Sequence, residues 1–267
     1  MSYTARFNDP GLPIKSKRVR RIIDLVVTLT LWFYFTFGFV VLFAPFYFLS
    51  SFFPSRRRQA CQRVNHHFYQ GFFLLCRLLM PRQKWRIDPA VKTVRSAVVV
   101  SNHISYIDSI WMISLFARHT TIVKNRLLKI PVLGWVLNLS GYLPADATGR
   151  WAAAMVERVE RLPAELAAGA NLIVFPEGTR SRTGAVGPLN IGAFKLARLC
   201  RAPVVVLNIR NTDQLFTPGQ FLFNTCKANT IEVSLLARIE PDYDSQYFSV
   251  DQLAQQVHSL FKNAARL

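Results

Sequence analysis

The sequence is poor in acidic residues and in cysteine. Asp and Glu together number 15 against 33 Lys and Arg, which gives a formal net charge of +18. The four cysteines are far apart and form no CxxC pair with a matching histidine spacing: Cys61, Cys76, Cys200 and Cys226. This scatter argues against a zinc site and is typical of reduced thiols in a cytosolic environment. We therefore expect no metal site and no disulfide framework.

The sequence also lacks the recognition-helix, zinc-finger and aromatic RNA-binding signatures of basic nucleic-acid-binding proteins. Instead it is strongly apolar, with 51% hydrophobic residues and 21 phenylalanines. Each Lys or Arg close to an anionic membrane surface contributes on the order of 1 kcal/mol to binding. We therefore expect a membrane and an acidic carrier as partners, and no nucleic acid.

Residues 25 to 55 contain no charged side chain, which predicts a membrane segment. The stretch is too long for a signal-peptide core and has no small-residue cleavage site, so we expect it to be retained. Basic residues flank it on both sides, and a single span would then have no preferred orientation. We favour a helical hairpin bent near Gly38 or Pro45, which keeps both basic ends on the cytoplasmic face of the inner membrane.

A second apolar stretch, from Phe68 to Met80, is shorter and typical of a buried or interfacial helix. We expect it to lie under the following domain or against lipid.

From Ser96 onward, short β-branched runs alternate with helical stretches. The pattern predicts an α/β fold with a mostly parallel sheet flanked by helices, preceded by an N-terminal helical membrane anchor. The expected strands cover residues 97–100, 172–175, 203–209 and 230–239. The expected helices cover residues 106–116, 151–168 and 192–200, with a terminal helix that begins at a capping box of Ser249 and Gln252.

Residues 101–108, with the sequence SNHISYID, directly follow the first predicted strand. Catalytic groups of open α/β sheets collect at the carboxyl ends of strands. His103 and Asp108 are five residues apart and would not share one face of a straight helix. We expect His103 in the loop, Ser105 as helix N-cap and Asp108 in the first turn, where its carboxylate can orient the imidazole as a general base. The alternative is a histidine that merely caps the end of the strand.

A second polar cluster, residues 175–181 with the sequence FPEGTRS, also follows a predicted strand. Gly178 permits a close approach of the backbone, and Arg180 offers a planar fork of donors that matches phosphate oxygens. Glu177 can hold Arg180 or an acceptor hydroxyl. Taken alone, the cluster is equally consistent with an ordinary polar turn.

The two clusters together resemble the signature of the glycerolipid acyltransferase family typified by 1-acylglycerol-3-phosphate acyltransferases. That signature is NHxxxxD followed about seventy residues later by FPEGTRS, and both occur here without substitution. The resemblance covers roughly residues 85 to 240. It includes Lys124, Pro131 and Gly134 between the motifs and the proline-led strand at residues 202–206.

The resemblance implies catalytic roles for His103 as general base and Asp108 as its orienting partner, with direct acyl transfer in a ternary complex. It implies an acceptor site for the phosphate and glycerol of a lysophospholipid, built from Asn102, Lys124, Glu177, Gly178, Thr179 and Arg180. The co-substrate would be acyl-ACP or acyl-CoA, with no resident cofactor. Residues 1–84 would form the membrane-anchoring helical region and residues 85–267 the acyltransferase domain.

One position departs from the family pattern. Where the intermediate motif usually ends in a phosphate-binding Arg, this sequence has Ala147. Arg150, Lys124 or Arg126 are the candidates to replace that charge. The default acceptor is 1-acyl-sn-glycerol 3-phosphate, which would give phosphatidic acid, and another lysolipid such as a lyso-aminolipid remains an alternative.

Two other functions compete with acyl transfer. A lipid hydrolase would use one of the serines near His103, but the sequence has no GxSxG elbow and no triad in the expected order. A non-catalytic lipid-binding scaffold would have no need of the His103 and Asp108 pair.

Overall fold

A mixed seven-stranded sheet organises the chain in the computed structural model, which describes residues 16–53, 56–149, 151–181 and 186–265. The strands are β1 (Gln83–Ile87), β2 (Val98–Ser101), β3 (His119–Val123), β4 (Leu143–Pro144), β5 (Asn171–Val174), β6 (Val204–Arg210) and β7 (Asn229–Ile239). Their order across the sheet is β1-β7-β6-β2-β5-β3-β4. Within the described residues, neighbouring strands are parallel except β6 and β7. The predicted fold class, a mostly parallel α/β sheet, is therefore confirmed.

Helices cover both faces of this sheet. They are α1 (Lys17–Phe33), α2 (Ala44–Ser51), α3 (Arg57–Leu79), α4 (Pro89–Lys92), α5 (Ile107–Leu115), α6 (Leu133–Leu139), α7 (Trp151–Ala167), α8 (Gly192–Cys200), α9 (Thr212–Leu215) and α10 (Val250–Ala264). Val99 on β2 packs with α1, α3 and α5, whereas Val98 and Val100 pack with α7, α8 and α10. Because side chains alternate along a strand, a run of consecutive valines fills both cores at once.

The four predicted strands correspond to β2, β5, β6 and β7, whereas β1, β3 and β4 were not predicted. In β1 the exposed Lys84 and Arg86 alternate with the more buried Trp85 and Ile87. Charged side chains of this kind are usual on an edge strand, and their alternation with apolar residues over five positions is a short period-two signal. Strand β3 begins with the polar sequence His-Thr-Thr, and β4 has two residues.

The N-terminal apolar segment forms a longer helix than expected. The helical run continues from Lys17 to Ser51, with a π-helical stretch at Tyr34–Phe43 between α1 and α2. The chain does not reverse at Gly38 or Pro45, so the predicted position of the bend is wrong. Pro45 lies in the first turn of α2, where a missing N–H and a fixed φ are tolerated.

The reversal instead lies between the end of α2 and the start of α3. Helix α3 then runs back along the first helix, since Ser50 contacts Cys61 and the Tyr34 hydroxyl donates to the carbonyl of Phe68 at 2.7 Å. The apolar stretch predicted at residues 68–80 is the second half of α3 and packs against the sheet core, as expected.

The anchor helices and the sheet share one core. Val27 and Leu31 of α1 belong to the same buried cluster as Val99. The predicted boundary between residues 84 and 85 falls within β1. The shared cluster shows that the helices before this boundary pack against the sheet after it. The division into an anchoring region and a domain stays a prediction about function.

Other predicted helices agree closely with the structure. Helix α7 ends at Ala167, and Gly169 follows it with a positive φ of 95°. Helix α10 begins after Ser249, whose hydroxyl accepts a hydrogen bond from the Gln252 N–H at 3.4 Å. The continuation toward Leu267 lies outside the described residues.

A buried polar network joins α3 to the residues around β3 and β4, at one edge of the sheet. The Asn65 amide of α3 donates to Ser140 Oγ and to the Tyr142 hydroxyl, each at 2.8 Å. Tyr142 Oη in turn lies 2.6 Å from Nε2 of His119, whose Nδ1 lies 2.7 Å from the carbonyl of Phe116. Since Nδ1 faces an acceptor, it carries the proton, and Nε2 accepts from the tyrosine.

This network predicts acid sensitivity of the fold. Burial lowers the pKa of His119 to about 4. A histidine held neutral in the folded state stabilises it fully above the unfolded pKa of about 6.5, and the contribution is lost as pH falls toward 4. We expect the free energy of unfolding to fall by up to about 3 kcal/mol over that range because of this residue. Urea titrations at several pH values measure it.

The His119→Asn variant is the comparison, because it removes the titrating group. Its stability should depend less on pH between 6.5 and 4 than that of the unsubstituted chain. Parallel pH profiles for the two proteins would contradict the assignment.

Candidate active site

The two polar clusters meet at one edge of the sheet. Strands β2 and β5 are parallel neighbours, so the loops that follow them leave the sheet side by side. The N–H of His103 donates to Glu177 Oε1 at 3.0 Å, and the N–H of Ser181 donates to the carbonyl of His103 at 2.8 Å. The histidine backbone is thus held on both sides by the second cluster.

His103 and Asp108 form a hydrogen-bonded pair. Nδ1 of His103 lies 3.0 Å from Oδ2 of Asp108, a carboxylate that is fully buried. Since an ionised carboxylate is an acceptor, Nδ1 carries the proton and Nε2 is left as the basic nitrogen. The His103 side chain is 15% exposed. The arrangement provides an oriented general base with access from the surface.

The N-cap expected at Ser105 is not formed in the way predicted. The Ser105 hydroxyl is buried and donates to the carbonyl of Phe216 at 2.8 Å, and α5 begins at Ile107. Instead, Asp108 Oδ2 accepts the N–H groups of Ile104 and Ser105, each at 2.7 Å. The Asp108 carboxylate thus reaches back from the first turn of α5 and satisfies two backbone N–H groups of the preceding loop.

A fourth donor to Asp108 comes from a residue that the sequence analysis did not identify. The hydroxyl of Thr212 donates to Oδ1 of Asp108 at 2.6 Å, and Thr212 is fully buried. Thr212 follows β6, which is parallel to β2. A polar residue just after a strand of the same sheet was the available signal.

Glu177 uses both carboxylate oxygens, one on the loop of His103 and one on the backbone of Gly187. Oε1 accepts from the N–H of His103, and Oε2 accepts from the N–H of Gly187 at 3.2 Å. Burial raises the pKa of Glu177, and these two backbone hydrogen bonds act in the opposite direction. The structure therefore places Glu177 as a bridge between the two loops at the site.

Arg180 lies across an aromatic ring that belongs to the first cluster. Its guanidinium carbon is 3.3 Å from the centroid of Tyr106. Stacking on an aromatic face fixes the plane of the guanidinium and leaves its edge donors available. The ring of Phe175 lies 4.5 Å from the ring of His103, so each cluster supplies an aromatic ring to the other. His103 and Arg180 therefore occupy the same edge of the domain.

Gly178 and Thr179 are exposed beside these residues. Gly178 has a φ of +64°, which side-chain-bearing residues rarely adopt, and a Cβ there would meet no atom within 4 Å. The glycine is thus required by the backbone and faces open space. A contact of these two residues with the acceptor stays a prediction.

The amide of Asn102 is used within the sheet. Its Nδ2 donates to the carbonyl of Ile209 at 2.9 Å, and its Oδ1 accepts from the N–H of the same residue at 2.7 Å. The side chain is 6% exposed. Asn102 thereby pins the end of β2 to β6 and fixes where the loop of His103 begins, while its predicted contact with substrate stays untested.

Lys124 and Arg126 lie on the loop after β3, and both are exposed. Strand β3 is the other neighbour of β5, so this loop leaves the same edge of the sheet as the two clusters. Asn125 binds the backbone of Asp146 at 2.8 Å, which brings the segment containing Ala147 alongside. Arg150 lies outside the described residues. Lys124 and Arg126, two of the three candidates to replace the missing arginine, are therefore at the edge of the sheet where His103 and Arg180 lie. We call it the catalytic edge.

Two of the three serines near His103 are unsuited to act as nucleophiles, and the third, Ser109, is half-buried within α5. Ser101 and Ser105 are fully buried, and their hydroxyls donate to the carbonyls of Asn102 and Phe216. Within the described ranges, no group of three or more His, Cys, Asp or Glu side chains is placed to hold a metal ion.

The open α/β sheet with an oriented His–Asp pair beside an arginine is the arrangement that the two motifs predict for an acyltransferase-type domain. Residues 85–210 match the family model described as Acyltransferase. A chloroplastic 1-acyl-sn-glycerol-3-phosphate acyltransferase of Brassica napus is 34% identical over 122 residues, 46% of this chain and 35% of that protein. The 1-acyl-sn-glycerol-3-phosphate acyltransferase of Saccharomyces cerevisiae is 33% identical over 132 residues, 48% of this chain and 43% of that protein.

The crystal structure of the 1-acyl-sn-glycerophosphate acyltransferase PlsC from Thermotoga maritima has the same fold. Its TM-score is 0.71 at 23% identity, and the superposition covers 92% of this chain and 96% of that one. Both motifs are intact and residues 85–210 match the Acyltransferase model, so this part of the chain is similar to acyltransferases of this kind. The matched segment spans about a third of the length of the Brassica napus relative.

Substitution of Thr212 tests the hydrogen bond that its buried hydroxyl donates to Asp108. Thr212→Val keeps the shape of the side chain and removes one hydrogen bond to an ionised carboxylate, which is worth about 1.5–3 kcal/mol. We expect kcat for acyl transfer to fall by roughly tenfold or more, with little change in the KM of the acceptor. Steady-state kinetics measure both.

Thr212→Ser retains the donor and should recover most of the rate. If the serine and valine variants were equally impaired, the packing of the methyl group, and not the hydrogen bond, would explain the loss.

Proposed function

We propose that this protein transfers a fatty acyl chain from an acyl thioester to the free hydroxyl of a lysophospholipid. The default acceptor is 1-acyl-sn-glycerol 3-phosphate, and the product is then phosphatidic acid. The observation that carries the proposal is the His103–Asp108 pair, held at the sheet edge with Nε2 as the basic nitrogen beside Arg180. The names of the family relatives support the same reaction.

The pair suits direct transfer between two bound substrates. His103 Nε2 takes the proton of the acceptor hydroxyl as its oxygen attacks the thioester carbonyl carbon. The tetrahedral intermediate expels the thiolate, and the imidazolium returns the proton to sulfur. Asp108 stabilises the imidazolium, and its three other donors hold its carboxylate in place. No resident cofactor takes part in this scheme.

The cations at the edge suit an anionic headgroup. Arg180 presents a fixed guanidinium, and Lys124 and Arg126 leave the same edge on the neighbouring loop. Together they offer three positive charges where the usual motif arginine is replaced by Ala147. A phosphate monoester is the acceptor group that this charge favours over a zwitterionic lysolipid.

Hydrolysis is the less favoured alternative. An esterase of this kind would need a free serine hydroxyl next to His103. Ser101 and Ser105 are buried with their hydroxyls bound to backbone carbonyls, and the third nearby serine, Ser109, lies within α5. The mechanism without an acyl-enzyme therefore agrees better with the geometry.

The first helix supports attachment to a membrane. Residues Lys17–Ser50 form one helix long and apolar enough to cross a bilayer, and most of its surface is exposed. The domain contacts this helix near both of its ends. The N–H of Thr225 donates to Asp24 at 2.8 Å, and the ring of Tyr47 lies 6.1 Å from that of Trp135. A helix held at both ends by the catalytic domain lies along the membrane more readily than across it. We propose that it rests in the cytoplasmic leaflet of the inner membrane.

The acyl donor is acyl-ACP or acyl-CoA. Both are acidic, and the net charge of +18 favours either. Assays of the same preparation with each donor distinguish them.

His103→Ala tests the catalytic assignment. Loss of a general base reduces the rate by about 10² to 10⁴-fold, and membrane binding should not change. The assay follows the transfer of a radiolabelled acyl group from a thioester to 1-acyl-sn-glycerol 3-phosphate. His258→Ala, on α10, is the control and should keep its activity, whereas full turnover by His103→Ala would refute the mechanism.

Arg180→Ala tests the acceptor site. We expect the KM of the acceptor to rise by about tenfold, with the KM of the thioester nearly unchanged, because a charged hydrogen bond to phosphate is lost. Arg198→Ala is a matched control, since that arginine also lies over an aromatic ring but on α8. An unchanged acceptor KM in Arg180→Ala would assign the residue a structural role.

A further inference from the structure

The segment from Ile130 to Trp135 exposes large apolar side chains next to the catalytic edge. The exposed fractions are 44% for Ile130, 55% for Val132 and 43% for Trp135. We call residues 130–135 the apolar hook. Three large apolar side chains exposed within six residues are unusual on a water-facing loop.

The backbone of the hook holds Val132 outward in a strained conformation. Its φ of 63° and ψ of −60° are sterically costly for a β-branched residue, and Leu133 N–H donates to the carbonyl of Pro131 at 2.6 Å to close a three-residue turn. The turn packs tightly, since a Cβ on Gly134 would lie 2.3 Å from the carbonyl oxygen of Leu128. Strain of this kind is retained mainly at functional sites.

The hook continues the apolar surface of the membrane helix. The ring of Trp135 lies 6.1 Å from that of Tyr47, and Val136 packs in one cluster with Tyr47. The neighbouring part of the helical run exposes further large apolar side chains: Val40, Val41, Leu42, Phe46, Phe48 and Leu49. A tryptophan at the border of such a surface is typical of a membrane interface.

Positive charge lies between the hook and the catalytic edge. Lys124, Arg126 and Lys129 are all exposed, and they occur in the short stretch of chain that joins the end of β3 to the hook. An anionic headgroup is attracted to such a group of cations, while the acyl chains of the same leaflet meet the apolar side chains. Along the segment, cations come first and apolar side chains follow, which is the order of an anionic headgroup and its acyl chain in a lipid.

We infer that residues 124–135 form a second membrane contact, through which an anionic lysolipid passes from the bilayer leaflet to the catalytic edge. The hook enters the acyl-chain region beside the membrane helix, and the cations receive the headgroup. This inference rests on the proposed function, because it assigns the route by which the acceptor arrives. The occupant is the membrane leaflet, not a protein partner.

The test compares two acceptors that differ in how they are presented. One is long-chain 1-acyl-sn-glycerol 3-phosphate in phosphatidylcholine vesicles, and the other is a short-chain analogue dissolved as monomers. The test variant combines Ile130→Ser with Val132→Gly, which removes apolar surface and relieves the strain at residue 132. The matched control combines Val156→Ser with Leu199→Ser, whose side chains are 56% and 51% exposed on α7 and α8.

For the hook variant we expect activity on vesicles to fall about tenfold, equivalent to about 1.4 kcal/mol. Activity on the monomeric acceptor should stay within about twofold of the unsubstituted chain, since the catalytic groups are untouched. The control variant should behave as the unsubstituted chain with both acceptors. Thermal unfolding checks that the hook variant is folded, and loss of the strained valine should not lower its stability.

Other outcomes would overturn the inference in recognisable ways. Equal losses on both acceptors would assign the hook to the catalytic geometry or, with a change in oligomeric state, to contact between copies. Unchanged activity on vesicles would show that the hook does not contact the membrane. If the unsubstituted chain acylated neither acceptor, the proposed function itself would fail.

Discussion

The buried carboxylate of Asp108 is the point on which the site depends. It accepts from His103, from two backbone N–H groups and from Thr212, so that a charge without exposure to water is fully compensated. These donors come from the loop after β2 and from Thr212, which is two residues past the end of β6. Any displacement of these strands relative to each other would leave the carboxylate short of donors. The order of the parallel strands is thereby coupled to the orientation of one imidazole.

The two loops around this carboxylate, which follow β2 and β5, are bound directly to each other. Glu177 and Ser181 bind the backbone of His103 on both sides, and Arg180 rests on Tyr106. Neither cluster would keep its shape without the other. The two sequence motifs, separated by about seventy residues, therefore act as a single structural unit, which is why their joint occurrence is so much more informative than either alone.

Much of this could be predicted from sequence, and the failures have physical causes. The hydrogen bond between His103 and Asp108 follows from a polar run at the end of a valine strand. Thr212 could not be recognised because its partner depends on which strand lies beside β2. The position of the helix reversal was wrong because Pro45 is compatible with the first turn of a helix. Strand β1 was missed because its alternation of charged and apolar residues spans only five positions.

Contact between α1 and the residues around His103 has a practical consequence. Thr28 accepts the N–H of Phe223, the ring of Phe223 stacks on Phe216 at 4.3 Å, and the carbonyl of Phe216 receives the Ser105 hydroxyl. Ser105 also donates its N–H to Asp108, the partner of His103, so five contacts in sequence join α1 to this histidine. Solubilising agents that loosen this helix would act on the proposed chemistry as well as on the proposed membrane attachment, so the choice of detergent is itself a variable in any purification of the protein.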